Sequence, residues 1–263
     1  MPTVKTGDIS TYYEEAGSGL PLILICGLGA DLQVWRFQVP ELSKRFRVIC
    51  YDNRGAGRTD APDQPHSISQ MADDLAALMD QLGIDSAHIL GWSMGGLIAQ
   101  AFTHAYPRRA RKLILMSTME RPDGLVRLEV RNWVDIRRSD MSFEQIMRFV
   151  SRWSFSPTLY DNEPLYEKFV QVMVTNPYAQ KAHAFLRQAD AVLGYAPQEP
   201  ASAIRAQTLV LVGIHDSLVP PYLSERLAQS IPGATLRVLK GAHAGFLEFP
   251  DEYNTEIAKF LEL

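Results

Sequence analysis

Most of the short apolar segments in this chain are apolar without a break, and that constrains the fold more than any single residue does. Residues 22–26 read Leu-Ile-Leu-Ile-Cys, residues 113–116 Leu-Ile-Leu-Met and residues 209–212 Leu-Val-Leu-Val. A strand with one wet face alternates apolar and polar side chains, whereas a strand covered on both faces has no need to. Strands are expected at residues 10–14, 22–26, 46–51, 87–90, 112–116, 208–212 and 235–239. Helical patterns lie between them. Ser67 and Gln70 form an expected capping box ahead of one stripe of Met71, Leu75, Leu78, Met79 and Leu82. The last helix opens on Pro250-Asp251-Glu252 and buries Tyr253, Ile257, Phe260 and Leu261. This alternation specifies an α/β fold with a mostly parallel sheet.

The alternation stops from about residue 120 to residue 196, where helical patterns rich in Trp and Phe replace strands. An insertion at that point lies over the C-terminal edge of the sheet, where open α/β folds bind ligands. The expected organisation is therefore a core of residues 1–119 and 197–263 with a helical cap (lid) of residues 120–196. Trp92, Trp153, Phe155, Phe169 and Phe185 are candidate pocket residues, and Arg152 is a candidate partner for a substrate carboxylate.

A chain of 263 residues with 46% hydrophobic content supports one large core. The formal net charge of −4 gives no footprint for nucleic acid. The basic run Arg108-Arg109-Ala110-Arg111-Lys112 reads as a solvated helix end. Met1-Pro2-Thr3-Val4-Lys5 lacks the apolar stretch of a signal peptide, and no run approaches the roughly 20 residues of a membrane span. Cys26 and Cys50 are too few for a disulfide framework and read as buried free thiols, so a cytoplasmic location is expected.

Gly91-Trp92-Ser93-Met94-Gly95 spells G-x-S-x-G between the strand at residues 87–90 and a helix that ends near Pro107. Strand, tight turn and helix together would force Ser93 into strained backbone angles and project its Oγ at a helix N-terminus. A serine hydroxyl is a poor nucleophile without a base, and the base works best when a carboxylate holds its tautomer. Asp216, in Gly213-Ile214-His215-Asp216, and His243, in Lys240-Gly241-Ala242-His243, both follow expected strands. All three candidate catalytic residues thus fall on one edge of the sheet. His66, His88, His104, His183 and His215 sit in a loop, at a strand start, on helix surfaces or beside Asp216, and fit the base role less well. The backbone N–H groups of Met94 and of Leu28, in Gly27-Leu28-Gly29, are the candidate oxyanion donors. G-x-G-x-x-G would need glycine where Leu32 stands, and neither a P-loop nor metal-ligand spacing occurs. No cofactor and no metal are expected.

These residues resemble the α/β-hydrolase superfamily over essentially the whole chain. The carrying motifs are Cys26 to Gly29, Asp52-Asn53-Arg54-Gly55-Ala56-Gly57-Arg58-Thr59-Asp60, Gly91 to Gly96, Gly213 to Pro220 and Ala242-His243. The resemblance implies an eight-stranded sheet of order 1-2-4-3-5-6-7-8, a Ser93–His243–Asp216 triad and oxyanion donors from Leu28 and Met94. Within the superfamily the chain looks closest to the esterase and 3-oxoadipate enol-lactonase-like branch, on residues 29–35, Ser93 to Leu97, Arg152-Trp153 and Ala189-Asp190. Cys26, where many members carry histidine, and the bulky Trp92 are departures. The resemblance implies a serine hydrolase of small-molecule carboxylic esters or lactones, with a homodimer left open. Aspartate-nucleophile dehalogenases and epoxide hydrolases are set aside by Ser93. A perhydrolase or haloperoxidase-like enzyme, a carbon–carbon bond hydrolase and a slow-turnover ligand sensor stay open.

Overall fold

A computed structural model describes residues 2–262. Eight strands form one sheet: β1 (Thr3–Thr6), β2 (Ile9–Ala16), β3 (Pro21–Ile25), β4 (Arg47–Tyr51), β5 (Ala87–Trp92), β6 (Ala110–Met116), β7 (Gln207–Gly213) and β8 (Thr235–Leu239). Their order is β1-β2-β4-β3-β5-β6-β7-β8, as the resemblance implies. Strands β4, β3, β5, β6, β7 and β8 run parallel, while β2 joins β4 antiparallel and pairs with β1 as an edge hairpin. The sequence reading missed β1. Thr-Val-Lys-Thr at an edge is half exposed and carries too little apolar pattern to announce a strand.

Eleven α-helices and two short 3-10 helices (Leu32–Trp35 and Ala201–Ala203) complete the described chain, the α-helices being α1 (Val39–Leu42), α2 (Ile68–Gln81), α3 (Met94–Ala105), α4 (Gly124–Arg138), α5 (Phe143–Ser154), α6 (Pro157–Tyr160), α7 (Glu163–Val174), α8 (Ala182–Leu193), α9 (Pro221–Ser230), α10 (Gly245–Glu248) and α11 (Pro250–Glu262). The unbroken apolar runs now have their cause. Ile23 and Ile25 of β3 pack with α2 and α3 on one face, and Leu22 and Leu24 pack with Trp35, Phe246 and α11 on the other. All four are fully buried, each a gain of roughly 1.5–3 kcal/mol. Helices α4 to α8 occupy the stretch between β6 and β7 where strand periodicity fails.

Two local expectations change. Ser67 accepts from the Gln70 N–H (3.1 Å), which is one half of a capping box. The full reciprocal box stands instead at Ser142 and Gln145 on α5. The basic run at residues 108–112 is also less solvated than expected. Arg109 donates to the carbonyls of Ile84 (2.9 Å) and Asp85 (3.3 Å) after α2, and Lys112 donates to the Phe260 carbonyl (2.9 Å) on α11. These cations fasten the ends of two helices, where the macrodipole favours positive charge.

Candidate active site

The chain leaves β5 at Trp92 and enters α3 at Met94, leaving Ser93 to make the whole turn with φ 55° and ψ −119°. A left-handed backbone at a non-glycine residue costs on the order of 1–3 kcal/mol and persists only where its surroundings hold it. Here both peptide groups are held. The Ser93 N–H donates to the Met116 carbonyl (2.9 Å), and its own carbonyl accepts from Thr118 Oγ1 (2.8 Å) and the Gly96 N–H (2.9 Å). The turn is this tight because Gly95 lies against the carbonyl oxygens of Ile25 and Cys26, where any Cβ would overlap them. Oγ of Ser93 consequently stands at the N-terminus of α3.

His243 and Asp216 arrive from the ends of β8 and β7. His243 Nε2 lies 2.9 Å from Ser93 Oγ, and His243 Nδ1 lies 2.9 Å from Asp216 Oδ2. Asp216 is buried, and its other oxygen accepts the Leu218 (3.1 Å) and Val219 (2.8 Å) N–H groups. A carboxylate so placed accepts, so Nδ1 of His243 carries the proton and Nε2 is left to accept from the serine hydroxyl. Trp92, unusual in size beside such a serine, donates from Nε1 to the His243 carbonyl (2.9 Å) and stacks against the imidazole at 5.4 Å. It fixes the loop that carries the histidine.

The turn after β3 packs beside the serine, with Gly27 so close that an added Cβ would lie 3.2 Å from Ser93 Cβ. The Ala30 N–H closes this turn on the Gly27 carbonyl (3.3 Å), and Gly29 takes φ 79°, the third position of a type II turn. Leu28 stands between Gly27 and Gly29 in this turn, and Met94 opens α3, whose first N–H groups have no partner within the helix. Asn53 and Asp52 brace the turn from β4: Asn53 Nδ2 donates to the Cys26 carbonyl (3.0 Å), and Asp52 accepts from the Leu32 N–H (2.8 Å). Burial pushes the Asp52 carboxyl up to about 6. A further brace went unseen in the sequence. Gln188 of α8, fully buried, accepts from the Gly29 N–H (3.3 Å) and donates to the Arg54 carbonyl (2.8 Å). The available signal was a polar residue on the apolar face of α8, three positions after Phe185.

A cavity of about 210 Å³ adjoins the cluster, walled by Leu28, Trp92 and Ala244 on the sheet side and by the helical insertion. Phe155, Phe169 and Phe185 line it. Trp153 does not. It is consumed in packing, edge-on to Trp133 (5.8 Å) and Phe149 (5.2 Å). Arg152 does not reach the cavity either; it is exposed and lies over the Trp153 ring at 4.6 Å. Arg36 and Arg137, which the sequence reading did not single out, line the cavity instead.

The remaining candidates lie apart. His88 is buried against Phe46, and burial lowers its imidazole to about 4. His215 is exposed. Cys26 and Cys50 are buried, and burial raises both thiols, which leaves them unreactive. A second strained serine, Ser117, follows β6 with φ 47°, but its hydroxyl is buried with no partner among the described residues. Among the described residues no group of three or more His, Cys, Asp or Glu side chains could hold a metal. Nor is any described helix long and apolar enough to cross a membrane.

Known proteins share this fold. The model of a family described as the alpha/beta hydrolase fold matches residues 21–250. A protein of Azorhizobium caulinodans assigned as the carbamate hydrolase RutD is 33% identical over 99% of this chain and 98% of its own length. The enol-lactonase of Burkholderia xenovorans LB400 superposes with a TM-score of 0.89 at 28% identity, covering 100% of both chains. A thermophilic esterase from Thermogutta terrifontis, solved with malate bound, gives 0.85 at 30% identity over 99% of this chain and 96% of its own.

Proposed function

We propose, from the premise that this chain belongs to the alpha/beta hydrolase fold family, that it is a cofactor-independent serine hydrolase of carboxylic esters or lactones. The observation that carries the reading is the unbroken series from Ser93 Oγ through His243 to Asp216, with both links at 2.9 Å. His243 Nε2 takes the hydroxyl proton as Ser93 Oγ attacks the substrate carbonyl carbon. Charge then develops on the carbonyl oxygen, and the N–H groups of Leu28 and Met94 bind it there. Collapse of the tetrahedral intermediate breaks the bond to the alcohol oxygen, which receives the proton from His243. In a lactone this alcohol stays tethered to the acyl group. Water, deprotonated by the same imidazole, attacks the acyl-Ser93 carbonyl, and the second collapse releases the acid and returns the proton to Ser93. Asp216 stabilises the transient imidazolium and keeps Nδ1 protonated throughout.

The helical insertion serves in this reading as a cap whose Phe155, Phe169 and Phe185 select the group that enters. A second reading is favoured by the relative assigned as a carbamate hydrolase: the same steps with nitrogen on the scissile carbonyl. A fluorophosphonate probe and a panel of 4-nitrophenyl esters, lactones and carbamates test both. Ser93 is expected to take the label, and Ser93→Ala to lose roughly 10⁴-fold of the turnover rate. Labelling elsewhere, or near-normal turnover by the alanine variant, overturns the assignment. Faster turnover of carbamates than of esters selects the second reading.

A further inference from the structure

The cavity has a polar flank that hydrolysis of a plain ester does not require. Two guanidinium groups line it, Arg36 and Arg137, against a single acidic side chain, Asp31. Asp31 is already engaged, accepting from the Gln33 N–H (2.9 Å) and from Asn176 Nδ2 (2.6 Å). Several other arginines partly or wholly withdrawn from water pair with carboxylates, Arg54 with Asp74 at 2.7 Å, Arg148 with Glu167 at 2.6 Å and Arg187 with Asp63 at 3.0 Å, while Arg127 donates to the Pro122 and Leu193 carbonyls. Arg137 has no carboxylate. Its Nη2 donates to the Gln180 carbonyl (2.7 Å), while its Nε is buried without a partner among the described residues. Arg36 lies over the Phe169 ring at 5.8 Å, with the Asp31 charge as its only acidic influence. Burial holds both guanidiniums below their ordinary range. A cation withdrawn from water and left without a counter-ion is costly, and a ligand carboxylate removes that cost.

The position fits a substrate group. The Arg137 guanidinium sits 5.5 Å from the centre of the Phe185 ring, and that ring packs on Gly29, next to the Leu28 N–H. One aromatic ring therefore separates Arg137 from the turn at the reacting carbonyl. We propose that Arg137, assisted by Arg36, binds a carboxylate carried on the acyl or the alcohol part of the substrate, so that this protein acts on anionic esters or lactones. The inference rests on the serine-hydrolase reading of the same site. A planar fork suits a carboxylate in two-point contact, and the flanking phenylalanines accommodate the carbon chain between anion and ester. The carboxylate partner expected of Arg152 thus passes to Arg137.

The test is a ratio of kcat/KM for matched anionic and neutral substrates. One arm sets 4-nitrophenyl hemiglutarate against its methyl ester, with the carboxylate on the acyl side. The other sets 4-acetoxybutanoate against its methyl ester, with the carboxylate on the alcohol side. The anionic member should lead by about ten- to hundredfold in one arm. Arg137→Gln should bring that ratio towards one, mainly through KM, and Arg137→Lys should restore part of it. Each ratio is internally controlled, since loss of folded protein lowers both rates alike. Ratios at or below one in both arms, or a ratio unmoved by Arg137→Gln, overturn the proposal. If Arg137→Gln does not fold, inhibition of the native protein by glutarate and by glutaramide decides: a tenfold advantage for glutarate supports the carboxylate site, and equal inhibition overturns it. Should neither the anionic nor the neutral esters be turned over, or should they be turned over without Ser93, the serine-hydrolase reading has failed instead. Glutarate binding by calorimetry then judges the anion site alone.

Discussion

The sheet edge and the helical insertion hold their residues by different means. Ser93, Asp216 and His243 each stand a few positions past strands whose registers are fixed by ladder pairing, Gly91 with Leu115, Leu115 with Val210 and Gly213 with Leu239. A shift of one residue anywhere in that ladder would turn every side chain to the wrong face. The insertion has no ladder. Its helices meet through side chains, such as Phe155 on Phe169 (5.0 Å), Trp133 on Trp153 (5.8 Å) and the Arg148–Glu167 ion pair. Helix α7 fully buries only Val170. Ser93, Asp216 and His243 are thus placed by backbone geometry, and the cavity wall by side-chain surfaces that substitution can redraw.

Aromatic truncations in the insertion should give the largest effects that probe this contrast. Trp153→Ala should cost roughly 3–5 kcal/mol of stability yet keep the wild-type ranking of acyl chain lengths, because the ring packs and does not line the cavity. Phe169→Ala and Phe185→Ala should reorder that ranking, by about fourfold for each substrate methylene gained or lost. Denaturant unfolding and kcat/KM across an ester series separate the two outcomes. Reordering by Trp153→Ala alone would place the pocket elsewhere.

The sheet's own weak point lies at the other end of β5. His88 is buried, and its imidazole is held at about 4, below the usual 6.5, first by burial and then by the charges of Arg111 and Lys112. Between those values the unfolded chain binds a proton that the folded chain refuses, so stability falls as pH drops through this window. The loss should be about 2 kcal/mol between pH 7 and pH 5. His88→Leu should therefore narrow the gap between Tm at pH 7 and Tm at pH 5. Asp52 and Asp74, raised by burial, act in the opposite direction in both proteins and cancel in the comparison. An unchanged gap would mean that His88 is protonated in the fold.

The smallest effect belongs to the second strained serine. Ser117→Gly should gain about 1 kcal/mol, since glycine adopts a positive φ without penalty. Because its hydroxyl reaches no partner among the described residues, turnover should stay within about twofold of the wild type. Thermal unfolding with a rate assay is sufficient; a fall in Tm would show that Ser117 is not strained.

Much of the sheet was legible because strand-forming runs carry their own pattern. The apolar segments ending near Cys26, Leu90, Met116, Val212 and Leu239 mark strands, and Ser93, Asp216 and His243 follow three of them at once. Strand β1 escaped notice because an edge needs no apolar run. The insertion was legible as helical but not in detail. Helical spacing tells which side chains turn inward, and an inward ring can meet either a neighbour, as Trp153 does, or a cavity, as Phe185 does. Gln188 and Arg137 act through partners more than 40 residues away in the chain or through a cavity wall, and no local pattern encodes such contacts.

The hydrogen bond between Ser93 and His243 joins residues 150 positions apart, and the indole of Trp92 reaches the His243 carbonyl across 151. In the proposed mechanism, synthesis from the N-terminus therefore delivers the nucleophile first, the carboxylate next and the base last. Until β8 docks, Ser93 is a hydroxyl with no base, whatever the rest of the chain has done. Contacts of such long separation close late in folding. On the serine-hydrolase reading, acylation therefore awaits a chain whose sheet is complete.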